Sequence, residues 1–215
     1  QHLAHIGKMS AVLAHEIRNP LGTIKGFAQL LEEQATPAQR DFLQPILQET
    51  ARLEGLVKDL LLYGRPAQPV ARPVHSVELA GTLRAHLRQA VESGRVRLEA
   101  EVADVTFESD PNLLEQALLN LLRNSTEALQ ERGGGTIRLA LEAGDGALVW
   151  RVQDDGPGLS EEARRRLYEP FFTSKAFGTG LGLSITRKLV EALGGRFQIA
   201  NGAEAGTTAT ITLPR

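Results

Sequence analysis

Along the first 64 positions, apolar residues recur every three or four residues. Ile6, Met9, Leu13, Ile17, Leu21, Ile24, Phe27 and Leu31 make one such series, and Phe42, Ile46, Leu53, Val57 and Leu60 make a second. That spacing predicts two long helices, each with a single apolar seam. Between them, Thr36 and Pro37 suit an N-cap and a first helical position, so a short turn makes the helices antiparallel neighbours. A hairpin of two helices leaves part of each seam uncovered. Pairing with another copy into a four-helix bundle completes that core; packing on the rest of the same chain is the alternative.

After residue 64 the pattern changes. Arg65-Pro66-Ala67-Gln68-Pro69-Val70-Ala71-Arg72-Pro73 reads as an extended, semi-rigid linker. The expected organisation is a helical hairpin over 1–64, a Pro-rich linker over 65–75 and a second domain over 76–215. In that domain the periods predict helices near 76–93 and 111–130 and strand-like alternation over 96–102. Strands follow at 136–143 and 147–153, short helices near 160–167 and 183–193, and strands at 196–200 and 207–213. Successive strands without an intervening helix predict a mixed or antiparallel sheet with helices on one face, an α/β sandwich rather than a doubly wound sheet.

Composition narrows the function. With 42% apolar residues the 215-residue chain buries a globular core. Its 24 Lys and Arg against 26 Asp and Glu supply no global field for nucleic acid or an anionic membrane. The absence of cysteine excludes disulfides, thiolate zinc sites, iron–sulfur clusters and cysteine nucleophiles. No apolar run is long enough to span a bilayer, and the first ten residues do not form a signal peptide. The expected setting is the cytoplasm. A chain that starts at Gln1 reads as a piece of something longer, for which anchoring in the inner membrane stays open.

Four groups of residues carry candidate chemistry. On the first helix, a wheel of about 100° per residue places Ile17 about 40° from Leu13 but His15 about 200° away, so the imidazole leaves the seam. Glu16 stands beside it, Asn19 lies one turn further on the same face, and Pro20 removes a helix hydrogen bond. In the second domain, Asn120 and Asn124 share a face of a leucine-rich helix; a carboxamide oxygen is a hard donor suited to Mg²⁺, and also a partner for backbone. Asp154-Asp155-Gly156-Pro157-Gly158-Leu159 follows a strand. Its carboxylate can accept from an exocyclic amine while the glycines let a ring approach, though Asp-Gly-Pro-Gly is equally good turn chemistry. Finally, Gly178-Thr179-Gly180-Leu181-Gly182 precedes a helix with Lys175 upstream, an anion cradle without the Walker lysine. Together these are the parts of a Mg-nucleotide site.

In this order, the groups resemble the catalytic core of bacterial sensor histidine kinases of two-component systems. His15-Glu16-Ile17-Arg18-Asn19-Pro20-Leu21 resembles the phosphoacceptor box, Asn120 to Ala128 the N box, and Asp154 to Leu159 the first glycine box. Glu169-Pro170-Phe171-Phe172-Thr173-Ser174-Lys175 resembles the F box, Gly178 to Leu183 the second glycine box, and Gly206-Thr207-Thr208 the strand that helps hold adenine.

The resemblance implies a dimeric phosphotransfer hairpin followed by an ATP-binding domain of the gyrase and heat-shock-90 type. It implies His15 as nucleophile, Glu16 as its base, Asn124 as Mg²⁺ ligand with Asn120 in support, and Asp154 as adenine contact. Gly156, Gly158 and Thr207 would stand around the base, and Lys175, Gly178, Thr179, Gly180, Leu181 and Gly182 around the phosphates. ATP and Mg²⁺ are the implied cofactors, a homodimer and a response-regulator receiver domain the implied partners. Asn19 carries a second implied activity, dephosphorylation of the regulator. Many relatives have a lysine where this chain has Glu127, so that phosphate contact is not carried over, and replacement by Arg123 is left open. A gyrase-type hydrolase would use a glutamate where this chain has Asn120, and an amide takes no proton. A purely scaffolding dimer would show damaged boxes, and these are intact.

Overall fold

A computed structural model of the chain describes residues 2–64, 66–144, 146–173, 175, 178–202 and 205–215, with side chains described from Glu16 onward. The chain divides into two compact units, Gln1–Pro66 with Lys175–Leu181, and Ala67–Ser174 with Gly182–Arg215.

The first unit is the expected hairpin, α1 (His2–Glu33) and α2 (Pro37–Gly64). Gln39 reaches back to Thr36 at the start of α2, one half of a capping box. The Gln39 Oε1 accepts from the Thr36 N–H and hydroxyl, both at 2.9 Å, and the first of these bonds satisfies a backbone donor that a helix start leaves over. Contacts between Glu32 and Gln44 near the turn and between Lys25 and Glu54 further along it fix the antiparallel pairing. Leu21, Ala28, Thr50 and Val57 are buried between the helices. Much of the predicted seam is not: Ile17, Ile24, Phe27, Leu31, Phe42 and Ile46 stand exposed on the single chain, as does Leu30 beside them.

The second unit is a mixed five-stranded sheet with helices on one face. Its strands are β2 (Val96–Val102), β4 (Gly135–Gly144), β5 (Ala147–Asp154), β6 (Arg196–Asn201) and β7 (Thr207–Pro214), in the order β2-β4-β5-β7-β6. Only the β2–β4 pair is parallel. Strand alternation puts Ile137, Leu139 and Leu141 of β4, Leu148, Trp150 and Val152 of β5, and Ile211 and Leu213 of β7 on the buried face. Over them lie the apolar stripes of α3 (Ser76–Glu92), α4 (Pro111–Arg132) and α6 (Gly182–Ala192). A short helix, α5 (Glu161–Arg165), is capped by Ser160.

Two strands escape the sequence pattern. Arg72–His75, assigned to the linker by composition, forms β1 and pairs antiparallel with β3 (Thr106–Ser109). Where this small ribbon ends, Asp110 caps α4. One carboxylate oxygen accepts from the N–H groups of Asn112 and Leu113, and the other takes the Val70 N–H at 2.9 Å, so one side chain starts the helix and ties down the preceding segment. At the other end of α4, Gly133 takes the left-handed conformation that closes the helix.

Candidate functional site

The alternation that buries Trp150 and Val152 also buries the last residue of β5, Asp154, only 5% exposed. A buried carboxylate requires donors. Three reach it from three directions. The Ser125 hydroxyl on α4 donates to Oδ2 at 2.9 Å, and the N–H groups of Gly156 and Thr207 donate to Oδ1 at 3.0 and 3.2 Å. Oδ1 is filled by two donors, whereas Oδ2 takes one and keeps acceptor capacity.

The surrounding backbone comes closer than side chains allow. A Cβ on Gly206 would sit 1.8 Å from the Asp154 carbonyl oxygen, and Gly206 has φ +72. A Cβ on Gly156 would sit 2.8 Å from Asp154 Oδ1. The structure also separates the two adjacent acids. Asp155 Oδ1 accepts from the Thr136 N–H at 2.9 Å, and the Asp155 carbonyl accepts from Arg132, so this residue ties the turn to β4 and α4.

On α4, Asn124 immediately precedes Ser125, the residue whose hydroxyl holds Asp154. Its carboxamide lies about 4 Å from where a side chain on Gly182, the first residue of α6, would begin. A helix start offers unpaired N–H groups and a positive dipole end. One turn back, the buried Nδ2 of Asn120 has no hydrogen-bond partner. Arg123 and Glu127 are both exposed. Among the described residues no group of three His, Cys, Asp or Glu could hold a metal ion alone.

The structure thus brings Asn120, Asn124, Asp154, Gly156, Gly158, Gly182 and Thr207 into one unit. Lys175, Gly178, Thr179, Gly180 and Leu181 belong with the hairpin unit. There the Thr179 hydroxyl donates to Asp59 of α2 at 3.0 Å and accepts from the Leu181 N–H. Of the F box, Phe172 lies under the Arg166 guanidinium, 4.1 Å from its ring centre, and Phe171 has a positive φ of 67°; Ser174 lies outside the described residues.

His15 falls within α1, but its side chain lies outside the described residues. Glu16 and Asn19 are exposed, and α1 runs on through Pro20, with the Asn19 carbonyl accepting from the Thr23 hydroxyl.

Two residues that hold the site were missed from sequence. Ser125 carries its hydroxyl on the buried stripe of α4 that includes Leu118, Leu121, Leu122 and Leu129. A polar residue on an apolar stripe was the available signal. Asn201 bonds both the N–H and the carbonyl of Leu159, and an asparagine before a glycine at a strand end reads only as a turn.

Comparison with known proteins bears on the whole chain. Residues 5–69 match the His Kinase A (phospho-acceptor) domain, and residues 109–215 match the histidine kinase-, DNA gyrase B-, and HSP90-like ATPase. The signal transduction histidine-protein kinase AtoS of Escherichia coli is 31% identical over 219 residues, covering 100% of this chain and 36% of that protein. The sensor histidine kinase ZraS of Klebsiella oxytoca is 35% identical, covering 100% of this chain and 47% of its own length. The chain spans less than half the length of these curated relatives. Among solved structures, full-length ShkA in complex with AMPPNP superposes with a TM-score of 0.79 at 28% identity, over 97% of this chain and 46% of that one. The histidine kinase ThkA in complex with the response regulator protein TrrA gives a TM-score of 0.71 at 28% identity, over 99% of this chain and 63% of that one. The chain therefore belongs to the sensor histidine kinases, of which it carries the catalytic core, a phospho-acceptor helical hairpin followed by an α/β sandwich ATPase domain.

Proposed function

We propose that this chain phosphorylates its own His15 from ATP and passes the phosphoryl group to an aspartate of a response-regulator receiver domain. The observation that carries the reading is the Asp154 carboxylate. It is buried at a strand end, fixed by three donors, and left with acceptor capacity on Oδ2, where an adenine amine can donate.

The residues present fit Mg²⁺. Asn124 offers a hard carboxamide oxygen beside a helix start, Asn120 stands one turn away on the same helix face, and Mg²⁺ characteristically shares its shell with substrate phosphates rather than relying on a protein cage. Bound there, it would neutralise charge on the phosphates. Asn124 would hold the ion and Asn120 would support it. Lys175, Gly178, Thr179, Gly180, Leu181 and Gly182 are the residues assigned to the phosphates.

In the reaction, a neutral His15 nitrogen attacks the γ-phosphorus. The N–P bond forms as the bond to the bridging oxygen breaks, ADP leaves, and Glu16 takes the imidazole proton. The carboxamide of Asn19 would orient a water for the reverse task, removal of phosphate from the regulator. A second copy covers the exposed seam formed by Ile24, Phe27, Leu31 and Phe42, making the dimeric four-helix bundle. Use of ATP as phosphoryl donor supports a cytoplasmic setting for this region.

The test is incubation with γ-labelled ATP, with and without Mg²⁺. Covalent label that requires Mg²⁺ and then moves to a receiver-domain protein supports the reading; a chain that binds ATP but never becomes labelled overturns it.

A further inference from the structure

Asn201 stands outside every motif that carries the nucleotide reading, yet both ends of its carboxamide engage one residue of the first glycine box. It is the last residue of β6, paired across to Thr207 of β7. Its Oδ1 accepts from the Leu159 N–H at 2.7 Å, and its Nδ2 donates to the Leu159 carbonyl at 3.1 Å. A neighbouring strand would offer Leu159 the same pair of bonds; here one side chain supplies both.

The place of this bracket gives it meaning. The turn from Asp154 to Leu159 is fixed at its start, where Asp154 Oδ1 accepts from the Thr207 N–H. Asn201 fixes its end. Between the two points lie Asp155, tied to β4 and α4, and then Gly156, Pro157 and Gly158, two of them without side chains that could brace this second half of the turn, and Gly158 has φ +76. A Cβ on Gly158 would lie 3.1 Å from the Gly206 carbonyl and 3.2 Å from Asn201 Oδ1, so the turn and the β6–β7 connection are in close contact at this point. Of the small polar side chains, a carboxamide alone combines a fixed donor and a fixed acceptor; an ionised carboxylate only accepts.

We infer that Asn201 is a positioning residue for the nucleotide, clamping the end of the Asp154–Leu159 turn so that the base pocket has its shape before ligand arrives. The inference rests on the reading of Asp154 as the base acceptor. Pre-ordering a loop strengthens binding by removing the cost of ordering it on association. Asn201 acts through the turn and touches no reacting atom, so its contribution lies in ground-state binding and not in phosphoryl transfer.

The test uses the full chain with Asn201→Ala and Asn201→Asp. Affinity for a non-hydrolysable ATP analogue is measured by calorimetry, self-labelling rates are measured against ATP concentration, and folding is followed by thermal melting. Asn201→Ala is expected to raise Kd and KM about tenfold, with kcat at saturating ATP within about twofold of wild type. Asn201→Asp, nearly identical in shape, loses the donor and sets a carboxylate against the Leu159 carbonyl, so it falls at least as far. A role in shape alone would leave it near wild type. Wild-type Kd and KM in a folded Asp variant overturn the inference and leave the nucleotide reading standing, as does a lowered kcat at unchanged KM. Failure of the wild-type chain to bind the analogue overturns the nucleotide reading and this inference with it.

Discussion

Asp154→Asn separates recognition from folding, because the structure dictates how the new amide must sit. Oδ1 faces the N–H groups of Gly156 and Thr207, so the amide oxygen must take that side, and the –NH₂ replaces Oδ2. The Ser125 hydroxyl, which donates to Oδ2, can rotate and accept instead. All three internal bonds survive without charge assistance, a loss of about 1 kcal/mol each against about 1.5–3 for a bond to a charged group. Relief from burying an ionised carboxylate offsets part of it, so the net cost is about 1–3 kcal/mol and the melting temperature drops by about 3–10 °C.

The ligand fares worse. An adenine amine then meets a donor, losing a charged hydrogen bond of about 1.5–3 kcal/mol and leaving unpaired donors that cost about 1–3 more. A total of about 3 kcal/mol or more is at least a hundredfold in affinity. Calorimetry with a non-hydrolysable ATP analogue, beside thermal melting of the same protein, reads both effects. A folded Asp154→Asn protein that binds within about threefold of wild type would refute the assignment of the base acceptor.

Other outcomes follow from the same geometry. Gly206→Ala places a methyl 1.8 Å from the Asp154 carbonyl on a backbone with φ +72, so it should destabilise the second unit by about 3 kcal/mol or more in chemical denaturation, and an unchanged midpoint would contradict the close packing of the two loops. Burial pushes the Asp110 carboxyl up, but the N–H groups of Val70, Leu113 and Asn112 and the charge of Arg72 outweigh it and hold the group below its ordinary value. A depressed folded-state value means stability that is present above about pH 4 and lost as pH falls below it. Asp110→Ala should therefore cost about 1–2 kcal/mol at pH 7 and flatten the acid limb of the stability profile; equal acid sensitivity in the two proteins would count against it. The wild type is expected to sediment as a dimer, and Phe27→Glu with Leu31→Glu, which charges the exposed hairpin face, as a monomer at the same concentration; an unchanged mass would contradict pairing through that seam.

How much of this was legible in sequence depended on how local the cause was. Helix α4 was readable because Asp110-Pro111, the leucine stripe and Gly133-Gly134 all act within a turn of their own positions. Strands β1 and β3 were not. Each has four residues, Pro73 interrupts the first, and neither shows enough alternation to stand out until the other is beside it. The motif residues around Asp154 were found because composition marks them, whereas Ser125 and Asn201 act on partners 29 and 42 positions away. The turn chemistry read at Asp154 and Asp155 applied to both acids, and only strand register decided that the first is buried with acceptor capacity while the second fastens the loop. The hairpin seam was correctly periodic, yet periodicity alone names no occupant for the face that Phe27 and Phe42 leave exposed.

The most direct measurement is the chemistry and address of the phosphate after incubation with Mg²⁺ and γ-labelled ATP. A phosphoramidate on an imidazole is lost in acid and survives alkali, unlike a phosphoester. The account predicts alkali-stable, acid-labile label that maps to His15 and vanishes in His15→Gln, while that variant still binds ATP as wild type does. Label that survives acid, or that persists undiminished in His15→Gln, would contradict it.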